Sequence, residues 1–116
     1  MSDAMVFKIM TQEQWLDAKS TGVFHGAPID VADGYIHLSE EHQVQATADK
    51  HFAGTGGLIL AAVDATSLGA ALVYEVSRGK ALFPHLYAPL DMSSVIWARP
   101  MPLGADGRHQ LPDLSA

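Results

Sequence analysis

The sequence predicts an α+β fold that consists of small split or mixed β-sheets with two N-terminal helices. Three observations support this prediction. Helical spacing of apolar residues is confined to the first half of the 116-residue chain, and strand-like segments dominate the second half. A doubly wound parallel sheet would require strands and helices in regular alternation, and the predicted elements do not alternate in this way. The length is typical of one domain, which we expect to span residues 1–116.

Composition excludes several classes of function. The chain has 13 Asp and Glu against 7 Lys and Arg, a net charge of −6, and no cysteine. An acidic chain is poorly suited to bind duplex nucleic acid, and without cysteine there is no disulfide, thiolate metal site or cysteine nucleophile. The longest apolar run, 58–63, is too short to cross a membrane. No signal segment is visible at the N-terminus, so we expect a cytoplasmic protein with no membrane partner.

The first elements are a strand and a capped helix. Residues 6–10 are apolar apart from one lysine and predict a strand. Thr11 followed by Gln14 matches a capping box, and Gly22 is typical of a helix end. Residues 23–33 contain a glycine, a proline and two aspartates, with another glycine directly after them, and predict a loop.

A second strand and helix follow. Residues 35–39 predict a strand, and Ser39 is placed to cap a helix whose first turn holds Glu40 and Glu41. Apolar residues recur at helical spacing until a glycine cluster at 54–57. These are the two predicted helices.

The second half reads mainly as strands. The run 58–63 predicts a strand that is buried on both faces. A turn or short helical piece at 65–71 follows. Further strands are predicted at 72–77, 81–87 and 94–99, with a last short hairpin near Asp106 and Gly107.

The segment 34–39 is the densest in polar functional groups. Period-two geometry places Tyr35, His37 and Ser39 on one face of the strand, and the apolar Ile36 and Leu38 on the other. A histidine and a serine at a strand end beside a helix start are suited to hold a polar ligand. The alternative is structural, with Ser39 as a helix cap and His37 as an orienting hydrogen-bond donor.

Two further candidates lie in the second half. Prolines frame the segment 83–90, in which His85 and Tyr87 share a face if the chain is extended. Glu75 interrupts an otherwise apolar strand and could act as a base or bind a ribose hydroxyl. The structural alternatives are a rigid edge packed on the core for the first segment and a solvent-facing carboxylate for Glu75.

Standard nucleotide and metal motifs are absent. The glycine cluster at 54–57 precedes a strand, which is the wrong order for a dinucleotide or phosphate loop. His37 and His85 with a carboxylate could hold a metal, but no ligand spacing supports such a site. We predict no metal and no firmly bound cofactor.

The motifs resemble a bacterial family known as domain of unknown function 952. The resemblance rests on Asp-Gly-Tyr-Ile-His-Leu-Ser at 33–39, Gln43, Thr47 and Phe52, and Phe-Pro-His-Leu-Tyr-Ala-Pro-Leu at 83–90. It covers about residues 6–112. Tyr35 replaces a commoner Phe, Ala88 replaces a commoner Gly, and Lys8 stands where some relatives have His.

The resemblance implies a fold similar to that of ADP-ribosyltransferases, in which two small sheets enclose a cleft for a nicotinamide dinucleotide. It implies that His37 and Ser39 lie in the cleft, with Glu75, His85 and Tyr87 around it. Catalytic candidates are His37, Glu75 and His85. Ligand-binding candidates are Tyr35, Ser39, Gln43, Thr47 and Tyr87.

Three functions follow as hypotheses. The first is a small enzyme that binds or processes NAD or an ADP-ribose-like nucleotide, with NAD as a substrate and Glu75 stabilising an oxocarbenium-like transition state. The second is a non-catalytic ligand-binding module, favoured by the net charge of −6, because phosphates need cations such as Lys8, Arg78 and Lys80. The third is an oligomer interface at an exposed Trp97 or near Met92.

Overall fold

The computed structural model describes residues 4–77 and 81–115, which form eight strands and four α-helices. The strands are β1 (Met5–Thr11), β2 (Val23–Phe24), β3 (Ile36–His37), β4 (Leu58–Asp64), β5 (Leu72–Val76), β6 (Leu82–Leu86), β7 (Leu90–Asp91) and β8 (Val95–Met101). The helices are α1 (Gln12–Thr21), α2 (Pro28–Asp33), α3 (Val44–His51) and α4 (Ala65–Leu68). Short 3-10 turns lie at Glu41–Gln43, Gly69–Ala71 and Met92–Ser94.

The strands form three small sheets. Their orders are β1-β4-β8, β2-β7 and β3-β6-β5, and every pairing in them is antiparallel. Antiparallel sheets with helices set between their strands define an α+β fold. The predicted class is therefore confirmed, as is the exclusion of a doubly wound parallel sheet.

Strand β4 is the centre of the largest sheet. It pairs with β1 along one edge and with β8 along the other, and Leu60, Ala61, Ala62 and Val63 have no exposed surface. Its alternate side chains enter two separate apolar clusters, one on each face of the sheet. The prediction of a strand buried on both faces is confirmed.

Helix α1 begins and ends as the sequence predicts. The Thr11 side chain accepts a hydrogen bond from the Gln14 backbone N–H at 3.1 Å, and the Gln14 side chain accepts one from the Thr11 N–H at 3.0 Å. This reciprocal pair satisfies two donors that the first helical turn leaves without partners. Gly22 ends the helix with φ of 87°, a conformation that glycine adopts without strain.

The predicted loop at 23–33 is wrong, because it contains β2 and α2. Pro28 is the first residue of α2, where its fixed φ favours a helix and its missing N–H costs nothing. The Asp30 carboxylate accepts a hydrogen bond from the Ala27 N–H at 2.8 Å, which is the contact that the third helical residue makes in a capping box, whereas the alanine side chain has no acceptor to offer. The expectation of two N-terminal helices therefore misses α2.

The predicted strand at 35–39 is shorter than expected. Only Ile36 and His37 pair with β6, and Leu38 N–H donates to the Pro84 carbonyl at 3.0 Å. Ser39 instead pairs with Phe7 of β1 through two backbone hydrogen bonds of 2.8 and 2.9 Å. Since the segment passes from one sheet to the other, Ser39 does not cap a helix, and a 3-10 turn separates it from α3.

The C-terminal region closes over β8. Leu103 and His109 form an isolated antiparallel bridge, which confirms the predicted short hairpin.

Trp97 is half-buried against Phe7, with ring centroids 6.0 Å apart, and Arg99 lies over its ring. The expectation of an exposed Trp97 is wrong, because these two contacts cover the indole.

Within residues 4–77 and 81–115, no helix is both long and apolar enough to span a membrane.

Candidate functional site

The β3-β6-β5 sheet has one apolar face and one polar face. Ile36, Leu38 and Leu86 are buried in the core on the first face. On the second face His37 pairs across the sheet with His85, which pairs with Val73. Because side chains alternate along a strand, Tyr35 and Tyr87 also lie on this second face. The predicted division of the 35–39 segment into a core side and a polar side is confirmed.

A cleft of about 600 Å³ lies between this polar face, strand β1 and helices α2 and α3. The volume is in the range of small-molecule binding sites, about 300–1,000 Å³. The candidates among its lining residues are Tyr35, His37, Ser39, Thr47 and His85. Further lining residues that bear on its chemistry are Lys8, Asp33, Lys50, His51 and Phe52.

Four rings form a contiguous cluster beside the cleft. Tyr35 stacks on His85 with centroids 4.0 Å apart and an angle of 22° between the planes. The Tyr35 ring lies 4.7 Å from His37 and 5.2 Å from Tyr87, and the two histidine rings are 5.7 Å apart. Tyr35 is thus the central ring, because it contacts both histidines and Tyr87.

Asp30 is the buried carboxylate beneath His37. It accepts hydrogen bonds from the His37 ring Nδ1 at 2.6 Å and the His37 backbone N–H at 3.1 Å, and it pairs with Lys8 Nζ at 2.9 Å. Burial by itself raises the pKa of Asp30, but the His37 hydrogen bond, the Lys8 charge and backbone donors together lower it to about 2. Burial lowers the pKa of Lys8, while Asp30 opposes this effect.

His37 is held by carboxylates at both ring nitrogens. Nδ1 lies against Asp30, and Nε2 is 2.9 Å from Asp33 Oδ2. Because an ionised carboxylate only accepts hydrogen bonds, both contacts are satisfied together when each ring nitrogen carries a proton. In this arrangement both ring nitrogens of His37 are occupied by side chains of the protein.

His85 has a different environment. Its Nδ1 lies 2.7 Å from Glu75 Oε1, and the Tyr87 hydroxyl donates to the same oxygen at 2.7 Å. The hydrogen bonds from His85 and Tyr87 lower the pKa of Glu75, and the bond to Glu75 raises the pKa of Tyr87 to about 12. Glu75 is therefore ionised, and Tyr87 keeps its proton near neutral pH.

Three of the candidate residues do not line the cleft. Glu75 and Tyr87 reach it only through His85, with which they share the polar sheet face. Gln43 is buried, accepting from the Glu40 N–H at 2.9 Å and donating to the Leu82 carbonyl at 2.8 Å. Because both ends of its amide hold backbone groups, Gln43 fastens the turn before α3 to β6.

Sequence reasoning missed Asp30, Asp33, Lys50 and His51. Asp30 and Asp33 fell in the segment taken for a loop, and the signal that could have found them is the Asp-x-x-Asp spacing shortly before His37. Lys8, a lone charge within an apolar strand, also required a buried partner. Two of the cations expected near the cleft, Arg78 and Lys80, lie outside the described residues.

Ser39 and Thr47 connect the cleft to α3. Their hydroxyl oxygens are 3.1 Å apart, and both residues line the cleft. Among the described residues, no group of three or more His, Asp or Glu side chains is arranged to hold a metal ion. The polar chemistry of the described cleft is therefore that of imidazoles, hydroxyls, carboxylates and lysines.

The fold and cleft define a small α+β protein with a cleft lined by histidine and tyrosine side chains. A family model described as "Protein of unknown function (DUF952)" matches residues 9–98, and the chain belongs to this family. No curated protein matches the sequence.

Solved structures support the family assignment. The crystal structure of CC0527 from Caulobacter crescentus is 47% identical, with a TM-score of 0.88, 91% of this chain covered and 93% of that chain. A crystal structure of a double mutant of CC0527 is 46% identical with the same coverage and TM-score. The solution NMR structure of CC0527 is 47% identical, covers 97% of both chains and has a TM-score of 0.85.

Proposed function

We propose that this protein binds NAD or a related ADP-ribose-containing nucleotide in the cleft between the polar sheet face, α2 and α3. The observation that supports this most directly is the convergence of Tyr35, His37, Ser39, Thr47 and His85 on one cleft of about 600 Å³. These residues come from separate elements and supply aromatic, imidazole and hydroxyl groups. Such groups suit the base, ribose and phosphate parts of a nucleotide.

The distribution of charge indicates how the nucleotide lies. Asp33 is half-exposed at the α2 side of the cleft, where its carboxylate can accept hydrogen bonds from ribose hydroxyls. Lys50 and His51 line the α3 side, where a lysine favours phosphate oxygens. We therefore place the ribose that carries the nicotinamide near Asp33 and His37, and the diphosphate toward Lys50.

The position of the cleft supports the proposed similarity to ADP-ribosyltransferases. The cleft lies where the β3-β6-β5 sheet and the edge strand β1 meet, and the Phe7–Ser39 bridge joins the two. Two small sheets with a ligand between them are the arrangement that the resemblance implies. In an enzyme of this kind, a carboxylate stabilises positive charge that develops on the ribose, and Asp33 is the candidate that lines the cleft.

A specific observation favours the non-catalytic alternative. Both ring nitrogens of His37 and the Oε1 atom of Glu75 are already engaged by neighbouring side chains. A group that must exchange protons during turnover first has to leave such a contact. Release of nicotinamide from NAD, followed by chromatography, separates the two: release indicates an enzyme, and binding without release indicates a binding module.

Calorimetric titration with NAD and with ADP-ribose tests the binding itself. We expect binding by the wild-type protein and an affinity about tenfold lower in His37→Ala, equivalent to about 1.4 kcal/mol. His42→Ala is the matched control, because the His42 side chain is 75% exposed and does not line the cleft. The proposal is wrong if the wild-type protein binds neither nucleotide, or if both variants bind as the wild type does.

A further inference from the structure

Glu75 lies behind His85 as seen from the cleft. The register of β5 and β6 places Val73 opposite His85 and Glu75 opposite Phe83, so Glu75 and His85 are diagonal neighbours on the polar sheet face. Their side chains meet at 2.7 Å, but only His85 lines the cleft. Glu75 therefore contacts a residue that lines the cleft but does not line the cleft itself.

The contacts of Glu75 select one tautomer of His85. An ionised carboxylate has no proton to donate, so the His85 Nδ1 must carry the hydrogen of the 2.7 Å contact. The Tyr87 hydroxyl donates to the same oxygen and supports its ionised state. When the imidazole is neutral, Nε2 then holds the free lone pair.

The orientation of the His85 ring is also restricted. The stacked Tyr35 ring covers one face at 4.0 Å, and the His85 side chain is 4% exposed. Among the described residues, no hydrogen-bond partner contacts its Nε2. With Nδ1 committed to Glu75, Nε2 is the nitrogen that remains for a ligand in the cleft.

The two histidines therefore differ in what they offer. His37 reaches carboxylates with both nitrogens, whereas His85 reaches one carboxylate with one nitrogen. A ligand hydroxyl or amide that needs an acceptor finds it at His85 without displacing an existing contact. A carboxylate that fixes the tautomer of a histidine through Nδ1 also occurs in metal sites and in catalytic triads.

We propose that the neutral His85 accepts a hydrogen bond at Nε2 from a hydroxyl or amide N–H of the bound nucleotide, and that Glu75 is the positioning residue that holds His85 in the required tautomer. This inference rests on the proposed function for the identity of the ligand. It assigns Glu75 a role through His85 and not through contact with ribose.

The tautomer is tested on the free protein by long-range ¹H–¹⁵N correlation spectra of the histidine rings, recorded about 1.5 pH units above the ordinary histidine pKa of about 6.5. A His85→Gln variant assigns the signals. We expect the wild-type His85 to be protonated at Nδ1, and we expect this preference to decrease in Glu75→Gln and Glu75→Ala. Protonation at Nε2 in the wild type, or an unchanged preference in both variants, would overturn the positioning role.

The binding part is tested by titration of the same proteins with NAD. We expect Glu75→Gln to lower the affinity about fivefold to tenfold, and the exposed Glu13→Gln to leave it unchanged. Backbone amide spectra show whether each variant is folded. If the wild type binds no nucleotide, the proposed function fails while the tautomer result still stands; if it binds NAD and Glu75→Gln binds equally well, only this inference fails.

Discussion

Asp30 shows how one side chain can organise both fold and site. It is 2% exposed, supplies the polar contact at the start of α2, pairs with Lys8 of β1 and fixes the ring of His37. Burying a charge is unfavourable unless it is paired and hydrogen-bonded, and here every partner is contributed by a different stretch of chain. His37, which lines the cleft, is thus held by a buried residue.

Replacing Asp30 with Asn should strongly destabilise the fold. The neutral amide leaves the Lys8 ammonium buried without its counter-charge, and breaking a buried pair in this way costs about 3–5 kcal/mol. Urea unfolding gives the change in the free energy of unfolding. Asp17→Asn, at an exposed position of α1, should change it by less than about 0.5 kcal/mol; a similarly small change for Asp30→Asn would contradict the central role of this carboxylate.

The residues of the site were only partly predictable from the sequence. Period-two alternation is a local property, so it correctly grouped Tyr35 with His37. The contacts of Asp30 could not be predicted from local alternation, because Lys8 lies 22 residues earlier in the chain and His37 lies 7 residues later. Gln43 was grouped with the ligand-binding residues, and the contact that occupies its amide nitrogen is to Leu82, 39 residues away.

At the scale of elements, local capping signals account for the best predictions and for the largest error. The Thr11–Gln14 pair and Gly22 delimit α1 through contacts within a few residues, and these are readable in a single sequence. Helix α2 is six residues long and begins after an alanine, so its capping contact comes from inside the helix, from Asp30. A short helix without an external cap resembles a loop in sequence.

The capping box of α1 gives a prediction for stability. Thr11→Ala removes the side-chain acceptor of the Gln14 N–H and should lower the free energy of unfolding by about 1 kcal/mol. Thr66→Ala, at an exposed position in α4, is the comparison. Thermal and urea unfolding of the two variants should separate them, and equal stability would mean that the capping contact adds nothing.

Gly34 links α2 to the ring cluster, and a side chain at this position should destabilise the protein. Its φ is 87° at the end of α2, immediately before Tyr35, and no atom would meet an added Cβ within 4 Å. The cost of Gly34→Ala is therefore backbone strain alone, about 1 kcal/mol or more. Gly56→Ala is the matched control, because Gly56 is not among the positive-φ glycines.

The strain at Gly34 should also reach the ring cluster. We expect Gly34→Ala to shift the amide and ring signals of Tyr35 and His37 in NMR spectra, while Gly56→Ala leaves them in place. If the spectra of Gly34→Ala match those of the wild type and its stability is unchanged, α2 and the ring cluster are not coupled through this residue.

At the scale of the whole molecule, the three sheets share one apolar cluster, and specific backbone and charge contacts also join their elements. The Phe7–Ser39 bridge connects β1 to the segment that follows β3, and the Lys8–Asp30 pair connects β1 to α2. The sequence predicted the α+β class from the distribution of elements. It did not predict which strands pair, because pairing depends on contacts between segments that are distant in the chain.

The ionisation of Asp30 gives the molecule an acid-sensitive component of stability. The pKa of Asp30 is about 2 in the folded protein and 3.8 for the unperturbed group, so the unfolded chain binds the proton more readily. The contribution of ionised Asp30 to the free energy of unfolding is complete above pH of about 4 and is lost as the pH falls toward 2. This contribution corresponds to about 2 kcal/mol.

Urea unfolding at a series of pH values tests this component. We expect the wild-type free energy of unfolding to decrease from pH of about 4 downwards, and the Asp30→Asn curve to be flatter over the same interval. Parallel curves for the two proteins would show that other carboxylates account for the acid sensitivity.

The central position of β4 has a consequence for how the chain folds. β1 lies near the start of the chain and β8 near its end, and both pair with β4. The long chain segments between β1 and β4 and between β4 and β8 must close into loops before the sheet gains its hydrogen bonds. Folding should therefore be slower than that of a helical protein of equal size. During synthesis, one edge of β4 stays unpaired until β8 has left the ribosome. An unpaired strand edge can form hydrogen bonds with other chains, which promotes aggregation.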